Sequence, residues 1–376
     1  MKKKKIVVLG SGLVGKAMAV DLQKKYHTVA VDIDQEALRT INADYGIEII
    51  HADISKEETL NKIIADCDIV IGSVPSHIGL ETLRNVIRAG KNIVDISFFP
   101  EDPFQLDELA KENNVTAIVD CGVAPGMSNI ILGYHNSQMN VNKFECYVGG
   151  LPENREWPWE YKTVFPPIEC VEEYLQPGRF IKNSNLIVKE ALSEPETIEF
   201  PTVGMLEGLI SDGLRSLIKT MDIPNMIEKT LRYPGITEYL RVLRDTGFFS
   251  YDEVQVGKNH IRPFDLTAAL LFPKWKIKPE EKDITAMRLI ISGMENNQTK
   301  TYTYSLLDRF DSETNTTSMA RTTGYTCTAV ADLILSDKYN RQGISPPEYI
   351  GEDGNNFEHV KQYLEARGII YQLEIL

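Results

Sequence analysis

Two hydrophobic periods alternate along the first 120 residues. Short, largely apolar runs at 6–9, 28–31, 47–51, 69–72, 92–96 and 116–119 read as strands, the first of them buried. Between them, 16–24, 35–45, 57–64 and 80–89 carry the spacing of amphipathic helices. Gly90 stops the last of these, and Asp102 followed by Pro103 opens another. Strands alternating with helices predict an α/β domain built on a doubly wound parallel sheet. Ligands of such sheets lie beyond the carboxyl ends of the strands. Asp53, Val74, Pro75, Ser97, Asp120 and Cys121 are therefore expected to face one crevice.

After Gly126 the pattern changes. A strand-like run at 143–148 leads into Gly149-Gly150-Leu151-Pro152, and an aromatic, proline-rich stretch follows from Trp157 to Pro167. Two hairpins are expected, one turning at 182–185 and one at 295–297. Helices are expected near 212–220, 236–246 and 263–271, with a strand at 227–232. This is an inserted α+β domain with a largely antiparallel sheet. A helix at 329–335 follows, and the tail from 346 to 376 is expected to pack back on the first domain. The expected partition is 1–125, 126–325 and 326–376.

The most informative stretch is IVVLGSGLVG at 6–15. Gly10, Gly12 and Gly15 stand in G-x-G-x-x-G spacing between a strand and a helix. They serve the tight turn, the approach of backbone to a pyrophosphate, and close packing of helix on strand. The free N–H groups of the helix start attract the anion. The second strand ends in Asp32, placed to accept hydrogen bonds from ribose hydroxyls. It would repel a 2′-phosphate, and Ile33 and Asp34 follow it rather than a basic residue. The domain is thus expected to be of Rossmann type and its cofactor NAD. Expected cofactor contacts are Gly10, Ser11, Gly12, Leu13, Val14, Gly15, Asp32, Ile33, Asp53, Ile54, Val74, Pro75, Ser97 and Gly122. The alternative is a strand–turn–helix that binds no nucleotide.

Composition narrows the class. The chain has 376 residues, enough for about two domains, and a net charge of −14 that argues against binding nucleic acid through phosphates. No apolar run reaches the ~18 residues of a membrane helix. Five cysteines stand singly with no C-x-x-C pair, and the six histidines show no metal-ligand spacing. A soluble cytoplasmic protein without a metal is expected.

Several motifs carry a resemblance. The opening fingerprint, GVAPGMSNI at 122–130, YVGGLP at 147–152, KTLRYPG at 229–235, MARTTGYT at 319–326 and GISPPE at 343–348 resemble the saccharopine dehydrogenase-like family. Within it they are most similar to the NAD-dependent lysine 6-dehydrogenase branch, over nearly the whole chain and in order. The resemblance implies a Rossmann domain completed by C-terminal helices. It also implies an inserted domain that supplies a substrate pocket and the contact of a homodimer or a dimer of dimers. The family oxidises, or reductively forms, a C–N bond of an amino acid. In the lysine branch a hydride leaves the carbon bearing the side-chain amine, and water hydrolyses the imine to ammonia and a semialdehyde.

That chemistry needs a positioned acid or base. It also needs an Arg fork for the substrate carboxylate. Asp120 is the candidate for the reacting centre, against the alternative of an acid capping its turn. Cys121 is a candidate proton donor, against a small buried apolar group. Arg232, with Tyr233, is the candidate for the substrate carboxylate, against a structural ion pair. Tyr161, Thr322 and Thr323 are further pocket candidates beside Arg321. The loop after Asp95 reads SFFPED and does not match the lysine-oxidising pattern, so saccharopine or carboxynorspermidine remains the alternative substrate. A non-catalytic NAD-binding sensor is the alternative from another class.

Overall fold

The computed structural model describes residues 3–376. Its first part follows the alternation: β1 (Lys5–Leu9), α1 (Leu13–Gln23), β2 (His27–Asp32), α2 (Gln35–Tyr45), β3 (Glu48–His51), α3 (Glu57–Ile64), β4 (Ile69–Gly72), α4 (Ser76–Arg88), β5 (Ile93–Asp95), α5 (Asp107–Glu112), β6 (Thr116–Ile118) and α6 (Met127–Gln138). The local signals are physical. Asp34 accepts hydrogen bonds from the N–H groups of Glu36 and Ala37 at the start of α2, and Gly46 ends that helix at φ 65°.

The central part contains β7 (Asn140–Pro152), α7 (Pro167–Leu175), β8 (Gly178–Lys182), β9 (Asn185–Lys189), β10 (Glu196–Phe200), β11 (Gly204–Ile210), α8 (Leu217–Thr220), β12 (Asn225–Arg232), α9 (Ile236–Thr246), β13 (Val254–Val256), β14 (Asn259–Ile261), α10 (Pro263–Trp275), β15 (Asp283–Glu295) and β16 (Gln298–Arg309). The chain ends with α11 (Ser318–Leu335), β17 (Gly343–Ser345), α12 (Glu348–Gly351), α13 (Gly354–Glu365) and β18 (Gln372–Ile375).

These elements form two units. The first comprises residues up to Met139 with Ala320–Ile370, and the second Asn140–Met319 with Tyr371–Leu376. In the first unit a sheet of seven strands runs in the order β17-β6-β5-β4-β1-β2-β3. Its pairings are all parallel. Val7, Leu9, Val29, Val31, Val70 and Ile93 are fully buried in its core, as expected of strands covered on both faces. Two aspartates fasten the C-terminal helices to α1 and the turn after it, Asp21 from α1 and Asp332 from α11. Asp21 accepts from Thr328 Oγ1 at 2.8 Å, Tyr363 Oη at 2.7 Å and Arg367 Nε at 2.8 Å. Asp332 takes Tyr26 and Lys25, with His359 at 3.1 Å.

In the second unit the main sheet orders its strands β10-β11-β12-β7-β15-β16-β18. Its pairings are antiparallel except β12 with β7. The β8–β9 hairpin adds to β12. A core of Val171, Tyr174, Leu209, Leu240, Leu271 and Trp275 fills the space among α7, α9 and α10, and a second cluster holds Tyr147, Leu151, Leu231 and Tyr233.

The α/β class, the Rossmann-type parallel sheet and the inserted α+β part are as expected. Several boundaries are not. The first unit extends to Met139 rather than 125, because α6 stays with it: Asn129 Nδ2 donates to the buried Glu348 Oε2 at 3.0 Å. The return begins at Ala320 rather than 326, inside the long α11. The tail divides. β17 joins the parallel sheet beside β6, whereas β18 pairs antiparallel with β16 in the second unit. Only 217–220 is helical where 212–220 was expected, and α1 starts at Leu13, three residues early.

Candidate functional site

The dinucleotide turn is set by steric limits. Gly10 has φ 95°, and a Cβ on it would lie 2.0 Å from the Ser73 carbonyl oxygen at the end of β4. A Cβ on Gly15 would lie 2.1 Å from the Gly10 oxygen. At Gly12 no protein atom comes within 4 Å of the same position. The two outer glycines are therefore required by the protein itself, while the middle one leaves space beside the start of α1. Gly12 caps that helix without a side-chain acceptor, and its first turn holds no acid. Its N–H groups and dipole are thus available to an anion. Ser11 is buried and its Oγ has no hydrogen-bond partner in the protein. An orphaned hydroxyl in a cradle of open backbone fits a pyrophosphate.

Asp32 lies beside this turn. Its Oδ2 accepts from Ser11 N and its Oδ1 from Asp34 N at 2.8 Å. Each oxygen keeps a lone pair, so the carboxylate is fixed in place and still able to accept from a ribose. Leu13 and Ile33 are exposed and Val14 is buried. The Ile33 carbonyl bonds to the His51 ring at 2.9 Å. Asp53 accepts from Ser55 N and Oγ, and that hydroxyl, with the backbone bond, holds its carboxyl below the ordinary range. Ile54 is buried.

Farther along the strand ends, Val74 N donates to Ser97 Oγ at 3.1 Å, and Ser97 N donates to Asp95 Oδ1 at 2.8 Å. Pro75 stands just before α4. Burial, with the like charge of Asp120, raises the Asp95 carboxyl to about 6. Asp120 is itself buried and sits in the left-handed region at φ 53°, which Asp tolerates better than most residues. The turn that follows is closed by Gly122 N to Pro125 O at 3.0 Å and Met127 N to Gly122 O at 2.9 Å. A Cβ on Gly122 would come within 3.2 Å of Thr323 Cγ2, so α11 reaches this turn. Thr322 is fully buried, and its carbonyl accepts from Thr326 Oγ1 at 2.9 Å.

Cys121 is fully buried. Burial first, then the charges of Asp120 and Asp95, push its thiol well above the usual range. Such a thiol is a poor proton donor at neutral pH.

The second unit assembles a different cluster. Arg232, at the end of β12, is buried with Nε donating to Tyr174 Oη at 2.9 Å, Nη1 to the Leu231 oxygen at 2.8 Å and Nη2 to Glu173 Oε2 at 3.2 Å. Its guanidinium lies 4.6 Å from the Tyr161 ring centre. Burial opposes the charge, but Tyr174, Tyr161 and Glu173 outweigh it and hold the group protonated. Tyr161 Oη donates to Cys170 Sγ at 3.1 Å, and burial pushes its phenol well up. Tyr161 and Arg232 are therefore brought together. Tyr233 is not: strand alternation sends it to the other cluster, where its Oη donates to the Pro152 carbonyl at 2.9 Å.

Three participants escaped sequence reading. Asp95 closes a three-residue strand, and an acid ending a buried strand was the available signal. Glu173 and Tyr174 hold Arg232 from 59 and 58 residues away, and no local pattern marks them. Among the described residues no three His, Cys, Asp or Glu side chains are grouped to hold a metal, and no helix is long and apolar enough to cross a membrane.

Known proteins share this organisation. Residues 6–118 match the saccharopine dehydrogenase NADP binding domain, and residues 122–369 match the saccharopine dehydrogenase C-terminal domain. The NADP(+)-dependent, L-glutamate-forming saccharopine dehydrogenase of Pyricularia oryzae is 25% identical over 274 residues, 67% of this chain. The matched stretch spans only 60% of that relative's length. Carboxyaminopropylagmatine dehydrogenase of Synechocystis is 22% identical over 93% of both chains. The solved structure of apo saccharopine dehydrogenase (L-Glu forming) from Saccharomyces cerevisiae superposes with a TM-score of 0.80 at 17% identity, covering 99% of this chain and 100% of its own. With one matched domain carrying the dinucleotide turn and the other nearly all the rest, the chain belongs to the saccharopine dehydrogenase family.

Proposed function

We propose that the protein is a nicotinamide-dinucleotide-dependent dehydrogenase acting on the C–N bond of an amino acid. The observation that carries this reading is the glycine turn with its open Gly12 and orphaned Ser11 hydroxyl, inside a chain matched by family domains from end to end. Residues 10–15 would hold the pyrophosphate and Asp32 the adenosine ribose, with Ile33, Asp53 and Ile54 nearby. Val74, Pro75, Ser97 and Gly122 would line the nicotinamide end. When bound, the cofactor exchanges a hydride with the substrate carbon.

The chain's own residues then have two tasks. Asp120 manages protons at the amine and the attacking water, with Asp95 tuning its field. It is preferred over Cys121, whose buried thiol holds its proton too firmly. Arg232 takes the substrate carboxylate, with Tyr161 stacked on it.

The finer assignment is oxidative deamination of the lysine side-chain amine with NAD⁺. Asp32 supports NAD, since its fixed carboxylate would meet a 2′-phosphate with like charge. The printed cofactor of the matched domain and of the Pyricularia relative is NADP, which makes the choice a direct test. The names of the relatives, saccharopine and carboxyaminopropylagmatine dehydrogenases, favour a second reading, oxidation of a larger substrate of the saccharopine kind, with carboxynorspermidine as the other candidate. Absorbance at 340 nm with NAD⁺ or NADP⁺, and with lysine, saccharopine or carboxynorspermidine, decides. Ammonia release with lysine supports the first reading. Turnover of a secondary amine without ammonia supports the second, and cofactor binding without turnover of any amine would leave a sensor.

A further inference from the structure

A cavity of about 380 Å³ opens on the first unit where the segment between α11 and β17 meets α12 and the first turn of α13. None of the residues assigned above to the dinucleotide or to the amino-acid substrate lines it. Its volume lies at the small end of the ~300–1,000 Å³ of ligand pockets, which suits a small molecule. The cavity borders an unmet polar group. Asn356, in the first turn of α13, is only 6% exposed, and its side-chain amide makes no hydrogen bond among the described residues. A buried amide without a partner is costly, and the cavity is where its partner would enter.

Water could serve the amide alone, but the charges beside it ask for more. Two cations and two carboxylates line the same space with bonding capacity unspent. Lys338 Nζ lies 3.0 Å from His359 Nδ1. An ammonium can only donate, so this contact uses one of its three N–H groups. The Arg341 guanidinium lies 3.7 Å from the Tyr349 ring centre, and its approach to Glu352 Oε2, at 3.8 Å, is beyond hydrogen-bond range. Asp353 spends Oδ1 on Asn355 N at 2.8 Å and keeps Oδ2. An anion alone would meet Glu352 and Asp353, and a cation alone would meet Lys338 and Arg341. A ligand carrying both charges meets neither penalty.

We propose that this cavity binds a free α-amino acid as its zwitterion, at a site separate from catalysis. The ligand carboxylate takes Lys338, Arg341 and the Asn356 amide N–H, and its ammonium takes Glu352 and the open oxygen of Asp353. These charges balance, so the side chain that fits best is polar and uncharged.

Calorimetric titration of the full chain with L-glutamine, without dinucleotide, tests this. One-to-one binding with a Kd below about 1 mM is expected. The analogue without the carboxylate, 4-aminobutanamide, and the one without the ammonium, glutaramate, should each bind at least tenfold more weakly. Asn356→Leu should weaken L-glutamine binding at least tenfold while the melting temperature holds or rises, because it removes an unpartnered buried amide. Lys338 and Arg341 are exposed, so Lys338→Met and Arg341→Gln should weaken binding as much and leave melting unchanged. No binding of L-glutamine up to about 10 mM, binding indifferent to all three substitutions, or analogues that bind as well as L-glutamine would overturn the proposal.

Discussion

The glycine turn of the first unit and the arginine cluster of the second solve opposite problems. The turn must leave backbone bare so that a ligand can use it. Its glycines create a gap at residue 12 and close contacts at residues 10 and 15 within six residues of chain. The cluster must keep a cation buried, and it does so with side chains from three segments around Tyr161, Glu173 and Arg232. A charge taken from water needs partners, or its desolvation is not offset. Backbone geometry is written locally in sequence. Partnership of buried side chains is written across the fold.

The largest expected effects fall on the turn. Gly10→Val should cost at least 100-fold in dinucleotide affinity and lower the melting temperature, because its Cβ would overlap the Ser73 oxygen. Gly12→Ala should separate the two roles. It meets no protein atom, so melting should hold, while affinity measured by calorimetry falls about tenfold, ~1.4 kcal/mol. Unchanged affinity in Gly12→Ala would break the assignment of this gap to the pyrophosphate.

Arg232→Ala should raise KM by about 100-fold with kcat kept within a few-fold, since a carboxylate is bound alike in ground and transition states. It should also destabilise the fold by about 2–4 kcal/mol by removing the partner of Tyr174 and Glu173. Loss of stability with an unchanged KM would reduce Arg232 to a structural ion pair. Asp32→Arg should shift the NADP⁺/NAD⁺ preference toward NADP⁺ by roughly tenfold or more, ~1.4 kcal/mol.

Asp95 gives a pH signature. Its carboxyl is raised to about 6 in the fold against 3.8 in the unfolded chain, mainly by burial. The folded state therefore holds this proton more tightly. Stability from that proton is complete below pH ~4, declines as pH rises to about 6 and is absent above it. Asp95→Asn should flatten this decline in denaturant titrations and raise stability at pH 7 by about 1–3 kcal/mol. The smallest effect is expected from Cys121→Ala, with kcat within about threefold of the parent and stability lower by about 1 kcal/mol, the loss of a small buried group. A kcat collapse there would restore the thiol as the proton donor.

The sequence alone determined the elements whose cause is local. Largely apolar runs marked the parallel strands, glycine spacing fixed the turn, and Asp32 at a strand end fixed the acid beside it. Order of motifs along the chain was enough for the family. Tertiary structure decided what depends on distant partners. It kept α6 with the first unit through Asn129 and Glu348, sent β17 and β18 to different sheets, and turned Tyr233 away from Arg232. It also drew in Asp95, Glu173 and Tyr174, and buried Cys121. A strand of three or four residues carries too little pattern to name its neighbour, and one step along a strand reverses the face a side chain presents. Burial, and the proton affinities that follow from it, come into being only when the whole chain has packed.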